Sequence, residues 1–179
     1  MFSVLVVHPT PTPGLALTLS RLVEAALSGS LADVAIADLC GDPLAQRLSE
    51  DGGCALKRVA CAPAQAIAQA IGEARAEWVL LCASGLAPSP GWAQAARETL
   101  ALAAAHEAGG RAFAGAFFAA PRGGLLGALR GREGIVLARR DVLAKATIRP
   151  GRIGRDGLTA ARAAGRMRRI EGMCEDERG

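Results

Sequence analysis

A short apolar run followed by a helix-spaced segment recurs four times between residues 2 and 108, and this alternation restricts the fold more than any other feature of the chain. Phe2-Ser3-Val4-Leu5-Val6-Val7 is stopped by His8-Pro9-Thr10-Pro11-Thr12-Pro13-Gly14. A β-branched run closed by prolines reads as a buried strand and a stiff loop. Leu15, Leu19, Leu22, Val23 and Ala26 then repeat at helical spacing up to Ser28-Gly29-Ser30. Asp33–Asp38 is a second strand, and Asp42-Pro43 opens a helix running to about Glu50, ended by Asp51-Gly52-Gly53. Lys57–Cys61, a helix over Pro63–Arg75, the strand Trp78–Cys82 and an alanine-rich helix opening at Ser89-Pro90 complete the series. Repeated strand–helix units predict an α/β three-layer sandwich with a mainly parallel central sheet. Ligands of such sheets bind at the carboxyl ends of the strands. Here those ends carry His8-Pro9-Thr10, Asp38-Leu39-Cys40 and Ala83-Ser84-Gly85.

Beyond Gly110 the pattern changes. Arg111–Phe118 reads as a strand, a glycine-rich stretch follows through Gly134, and Ile135–Ala138 reads as a last short strand. Asp156–Ile170 is expected to be a basic helix, with Arg162, Arg166 and Arg169 on one face and Leu158, Ala161, Ala164 and Met167 facing it. Glu171–Gly179 is expected to be a loose acidic tail. The expected division is one α/β domain over 1–148 and a basic helical appendage with its tail over 149–179.

The net charge of +4 hides an asymmetry: residues 111–169 carry 14 basic and 3 acidic groups, whereas residues 1–110 carry 6 and 10. A basic second half points to an anionic partner, or else to a solvated arginine face. With 51% hydrophobic and 21% charged residues the chain is globular. It contains no run near the roughly 20 apolar residues that span a bilayer, and Met1–Val7 lacks the basic start of a signal peptide. Five cysteines without a CxxC pair then read as reduced thiols in a cytosol, with Cys82 in the core. No cysteine or histidine pair has zinc-ligand spacing. Walker A, GxGxxG and GxSxG sequences are absent. His8 and Cys40 end adjacent strands, which leaves a dyad geometrically open beside the plainer reading of His8 as a loop residue packed on prolines.

Five segments in order resemble one family. Phe2–Thr10 stands in the place of an opening strand that ends in Pro-Thr. Leu31–Asp38 stands in the place of a strand ending in a nucleotide-contacting aspartate. Ala64–Leu81 resembles a helix and strand of the type A…GA..A.G.WLLFL, Pro90-Gly91-Trp92 matches a PGW helix start, and Gly131–Leu143 resembles GDQGLLIPRALY. Together they make residues 2–145 similar to the small bacterial family-2 glycosyltransferases of GT-A fold, in particular the rSAM/selenodomain-associated-like branch. The resemblance implies a nucleotide-sugar ligand, contacted by Pro9, Thr10 and Asp38.

The departures from that family are equally specific. Its DXD-type motif, whose carboxylates hold a divalent metal on the diphosphate, is replaced by Ala83-Ser84-Gly85-Leu86, and no Asp or Glu lies between Glu77 and Glu98. The acidic position of the GDQG segment is Arg132. No metal and no other cofactor is therefore expected. Two readings follow: sugar transfer without a DXD-bound metal, with Arg122, Arg130 and Arg132 clamping the diphosphate bidentately, or a non-catalytic GT-A-like binding or interaction protein. The catalytic residues are not identified by the sequence. An anionic membrane surface or a lipid-linked acceptor fits the basic segment, which would set the protein in the cytoplasm, peripheral to the inner face of the membrane. Aromatics at 3% argue against a nucleic-acid partner. Trp78 and Trp92 are expected to be structural.

Overall fold

The computed structural model describes residues 1–58, 61–110, 113–119, 134–171 and 174–176. β1 (Phe2–His8) is buried at every position, as a strand covered on both faces must be. It pairs in parallel with β2 (Leu31–Asp38) and β4 (Trp78–Ala83), in register Val4↔Val34 and Val4↔Leu80. β3 (Ala55–Arg58) extends the parallel set beyond β2. On the other side β7 (Gly134–Arg139) runs antiparallel to β4 and to β6 (Phe113–Ala119), and β8 (Arg166–Glu171) closes the sheet parallel to β6. The order is β3-β2-β1-β4-β7-β6-β8. The expected mainly parallel α/β sheet is present, with β1, β2 and β4 as neighbours.

The helices follow from local sequence. α1 (Gly14–Leu27) buries Leu15, Thr18, Leu22 and Ala25, one face at three- and four-residue spacing. α2 (Pro43–Gly52) is capped by Asp42, whose side chain accepts from Leu44 N–H at 2.9 Å, has Pro43 at its start and ends on Gly53 in the left-handed region. α3 (Pro63–Gly72) and α4 (Trp92–Ala108) flank the sheet. Trp92 is buried, donates its indole N–H to the Arg21 carbonyl at 3.0 Å and meets Phe2 edge-to-face at 5.8 Å, a ring pair worth ~0.5–1.5 kcal/mol beyond its area. Trp78 is buried in β4. Both tryptophans are core residues, as expected. Gly115 has φ +139°, and a Cβ there would run into the Leu137 carbonyl oxygen, so only glycine lets β6 lie against β7 here, at a register shift in its pairing with β8.

The end of the chain departs from expectation. The basic segment is not one helix to Ile170. α5 (Arg140–Ala144) and a single 3-10 turn, Pro150–Arg152, lead into α6 (Ile153–Ala164), which ends at Gly165. α6 buries Ile153, Leu158 and Ala161 and packs on β4, β6 and β7. The following residues are β8, a strand of the central sheet. The segment expected as an appendage therefore contributes a helix and a strand to the three-layer body. Ala164, expected on the apolar stripe, is exposed, and Met167 lies on β8. The tail is not loose throughout: β9 (Cys174–Asp176) pairs antiparallel with β5 (Leu86–Pro88).

Candidate functional site

The carboxyl ends of β1, β2 and β4 meet at His8. Its imidazole is fully buried, and both ring nitrogens are engaged: Nδ1 lies 2.9 Å from Ser84 Oγ and Nε2 2.9 Å from Asp42 Oδ2. A carboxylate only accepts, so Nε2 carries a hydrogen, and in the neutral ring Nδ1 accepts from the Ser84 hydroxyl. The chain Ser84–His8–Asp42 thus links the turn after β4, the end of β1 and the N-cap of α2. Asp42 sits with its carboxyl below the ordinary range, held there first by the His8 hydrogen bond and then by Leu44 N–H.

Beside it, Asp38 is buried at the end of β2. Its Oδ1 accepts from the backbone N–H groups of Cys40, Gly41 and Asp42 at 3.1, 2.9 and 3.3 Å, and from the Cys40 thiol at 3.4 Å. This carboxylate folds the 38–42 turn around itself. Its other oxygen, Oδ2, is buried with no hydrogen-bond partner among the described residues, a costly arrangement for a carboxylate. Burial, then the hydrogen bond and charge of Asp38, push the Cys40 thiol up to about 11. Cys40, Cys54 and Cys61 are free thiols, and Cys82 lies in the core as expected. The ligand atoms of His8, Asp38 and Cys40 lie within 4.8 Å of one another, a proximity that sequence spacing does not reveal.

The turn between β4 and β5 is the place to which the sequence resemblance assigns metal-binding acids. Ala83–Ser89 are buried throughout. Gly85 has φ +88°, and its N–H donates to Thr18 Oγ1 at 3.0 Å. The Thr18 hydroxyl in turn faces the carbonyls of Gly14 and Leu86 at 2.9 and 3.1 Å. A Cβ on Gly14 would come 2.7 Å from Gly85 Cα, so the start of α1 lies directly on this turn. β9 covers the next residues in register Leu86↔Asp176. The turn's own stretch, residues 78–97, offers no carboxylate to a divalent metal of that family's type, and hard cations take oxygen ligands, usually carboxylates.

Of the residues expected to bind substrate, Pro9 is half-buried and Thr10 exposed at the end of β1, and Asp38 is buried beside them. Arg122, Arg130 and Arg132 lie outside the described residues. Sequence reading missed Ser84 and Asp42 as partners of His8; Asp42-Pro43 signals only a helix start. It also missed Arg58, exposed at the end of β3 opposite Asp38, whose guanidinium donates to Gln46. A cavity of about 290 Å³ lies away from this edge, against the first halves of β1 and β2 beside α3, with the Lys57–Glu73 ion pair in its wall.

No protein-family model matches the sequence, and no curated protein does. Solved structures do match the fold. Glucosyl-3-phosphoglycerate synthase from Mycobacterium tuberculosis, in complex with Mn2+, UDP and phosphoglyceric acid, superposes with a TM-score of 0.66 at 14% identity, over 99% of this chain and 71% of that one. A mannosyltransferase from Pyrobaculum calidifontis in complex with GDP-Man and Mn2+ gives 0.62 at 18%, over 99% and 58%. TarS 1–349 from S. aureus gives 0.60 at 13%, over 98% and 60%. This chain therefore spans only part of the length of each. Among the described residues no helix is long and apolar enough to cross a membrane. The likeness runs over nearly the whole chain, and the protein has the GT-A fold.

Proposed function

We propose that the protein binds a nucleoside diphosphate or nucleotide-sugar at the carboxyl edge of β1 and β2, and that metal-dependent sugar transfer has been lost. One observation carries the second half: Gly85, to which the sequence resemblance assigns the acid's place, is buried under the start of α1 in a stretch, 78–97, without a carboxylate side chain. Sugar transfer leaves growing negative charge on the departing diphosphate, and a divalent ion is the usual means of offsetting it. Three features support the binding half. The fold is shared with structures solved with UDP and with GDP-Man. α1 and α2 begin at this edge, and helix N-termini favour anions. Thr10 and Arg58 stand exposed there.

In this reading Asp38 shapes the turn beside the base, Pro9 and Thr10 line the entry, and Arg122, Arg130 and Arg132 supply positive charge for the diphosphate. An anionic surface is proposed as the partner of the exposed Arg155, Arg162 and Arg166. Because α6 and β8 belong to the body, charge reversal at Arg162 and Arg166, not truncation, is the test of that partner. Salt-sensitive co-sedimentation with anionic liposomes that survives the reversal would exclude it.

Incubation with UDP-glucose and with GDP-mannose, with and without Mn2+, tests the loss of transfer. No release of nucleoside diphosphate is expected in any arm. Release stimulated by Mn2+ would overturn the reading.

A further inference from the structure

We infer that His8, Asp38 and Cys40 form a zinc site at the carboxyl edge of the sheet, beside the β4–β5 turn whose Ser84 bonds His8. The inference does not rest on nucleotide binding.

Three different ligand types converge there. Imidazole, thiolate and carboxylate are the donors zinc accepts, and three protein ligands leave a fourth position open. The donor atoms lie within 4.8 Å of one another, and Cys40 Sγ and Asp38 Oδ1 already stand 3.4 Å apart. Tetrahedral zinc with bonds of ~2.0–2.3 Å holds its ligand atoms roughly 3.3–3.7 Å apart, so a separation of 4.8 Å has to close by about 1 Å or slightly more. Two of the three residues are buried, whereas Cys40 is half-buried and gives the ion a way in.

Asp38 Oδ2, buried without a hydrogen-bond partner among the described residues, points to a cation at the same place. A buried carboxylate oxygen without a donor is rare in a native fold, and a cation nearby offsets its charge. Zinc binding takes one nitrogen of His8 from its present partner. The two nitrogens have separate partners, Ser84 and Asp42. When one nitrogen turns to the metal, the other keeps a partner that fixes the ring, as the outer contacts of ligating histidines do. Binding takes up one Zn2+ and releases the proton of the Cys40 thiol. No electron is transferred.

The test uses the full chain without nucleotide. Native mass spectrometry is expected to show one zinc per chain, and Co2+ in its place to give a thiolate-to-metal charge-transfer band. Loss of an outer contact to a metal ligand typically weakens binding about 10–100-fold, so Cys40→Ser should cost at least about tenfold and abolish the band. Should that variant fail to fold, zinc is expected to slow alkylation of Cys40 in the wild type by at least about tenfold, leaving Cys54 and Cys61 unchanged. Zinc retention equal in wild type and Cys40→Ser, a cobalt spectrum without the thiolate band, or Cys40 alkylation unaffected by zinc would each overturn the proposal. A nucleotide titration that fails leaves all three readouts untouched, so the two proposals fail separately.

Discussion

His8 Nε2 and Asp42 Oδ2 stand 2.9 Å apart, and this contact ties the last residue of β1 to the N-cap of α2. The Asp42 carboxyl is held below its ordinary value in the fold. A carboxyl lowered by folding contributes stability above its unfolded pKa, about 3.9, and that contribution is lost as the pH falls through the folded value. Asn at this position keeps a capping oxygen but has no charge to lose. Urea denaturation at about pH 6 and about pH 3 is expected to show wild type losing more stability on acidification than Asp42→Asn. Equal losses would remove the His8 contact from the account.

Thr18 is the link between α1 and the β4–β5 turn. Its buried hydroxyl bonds Gly85 N–H and the carbonyl of Leu86. Thr18→Val keeps the shape and leaves both groups unsatisfied. The expected loss is ~1–3 kcal/mol, read from chemical denaturation.

Gly14 makes the closest approach to that turn. A methyl group there meets Gly85 Cα at 2.7 Å, and backbone must move to admit it. Gly14→Ala is expected to destabilise by ~1–3 kcal/mol, the usual range for overpacking. A neutral or stabilising effect would mean that α1 does not seal the turn.

Trp78 and Trp92 are buried, and Trp92 is pinned by Phe2 and the Arg21 carbonyl. Nucleotide binding at the strand ends should leave their fluorescence unchanged. Quenching by UDP that disappears in Trp92→Phe would place this ring at the ligand.

The half of the sheet around β1 was legible because its strands are short, apolar and β-branched, and each leads into a helix with its own start and stop residues. The other half was harder to read. In Arg166-Met167-Arg168-Arg169-Ile170-Glu171 the apolar residues do not alternate, so nothing in the pattern marks a strand. The apparent stripe Leu158–Ala161–Ala164–Met167 continued the helix across Gly165, which in fact ends it. β5 and β9 are three residues each, too short to carry a period. The His8 cluster was invisible for another reason. Its members are 34 and 76 residues from His8, and parallel crossovers alone bring them to one edge. That Ala83–Leu86 holds no carboxylate was plain in the sequence. That α1 packs onto the same turn was not, because Gly14 and Gly85 signal only turns.

The proposed nucleotide site works without a metal at the β4–β5 turn. Isothermal calorimetry with UDP and GDP, each with and without Mn2+, tests it most directly. The account predicts that at least one nucleotide binds at one site per chain, with the same affinity in the presence and absence of Mn2+. Binding that requires Mn2+, or no binding of either nucleotide, would contradict it.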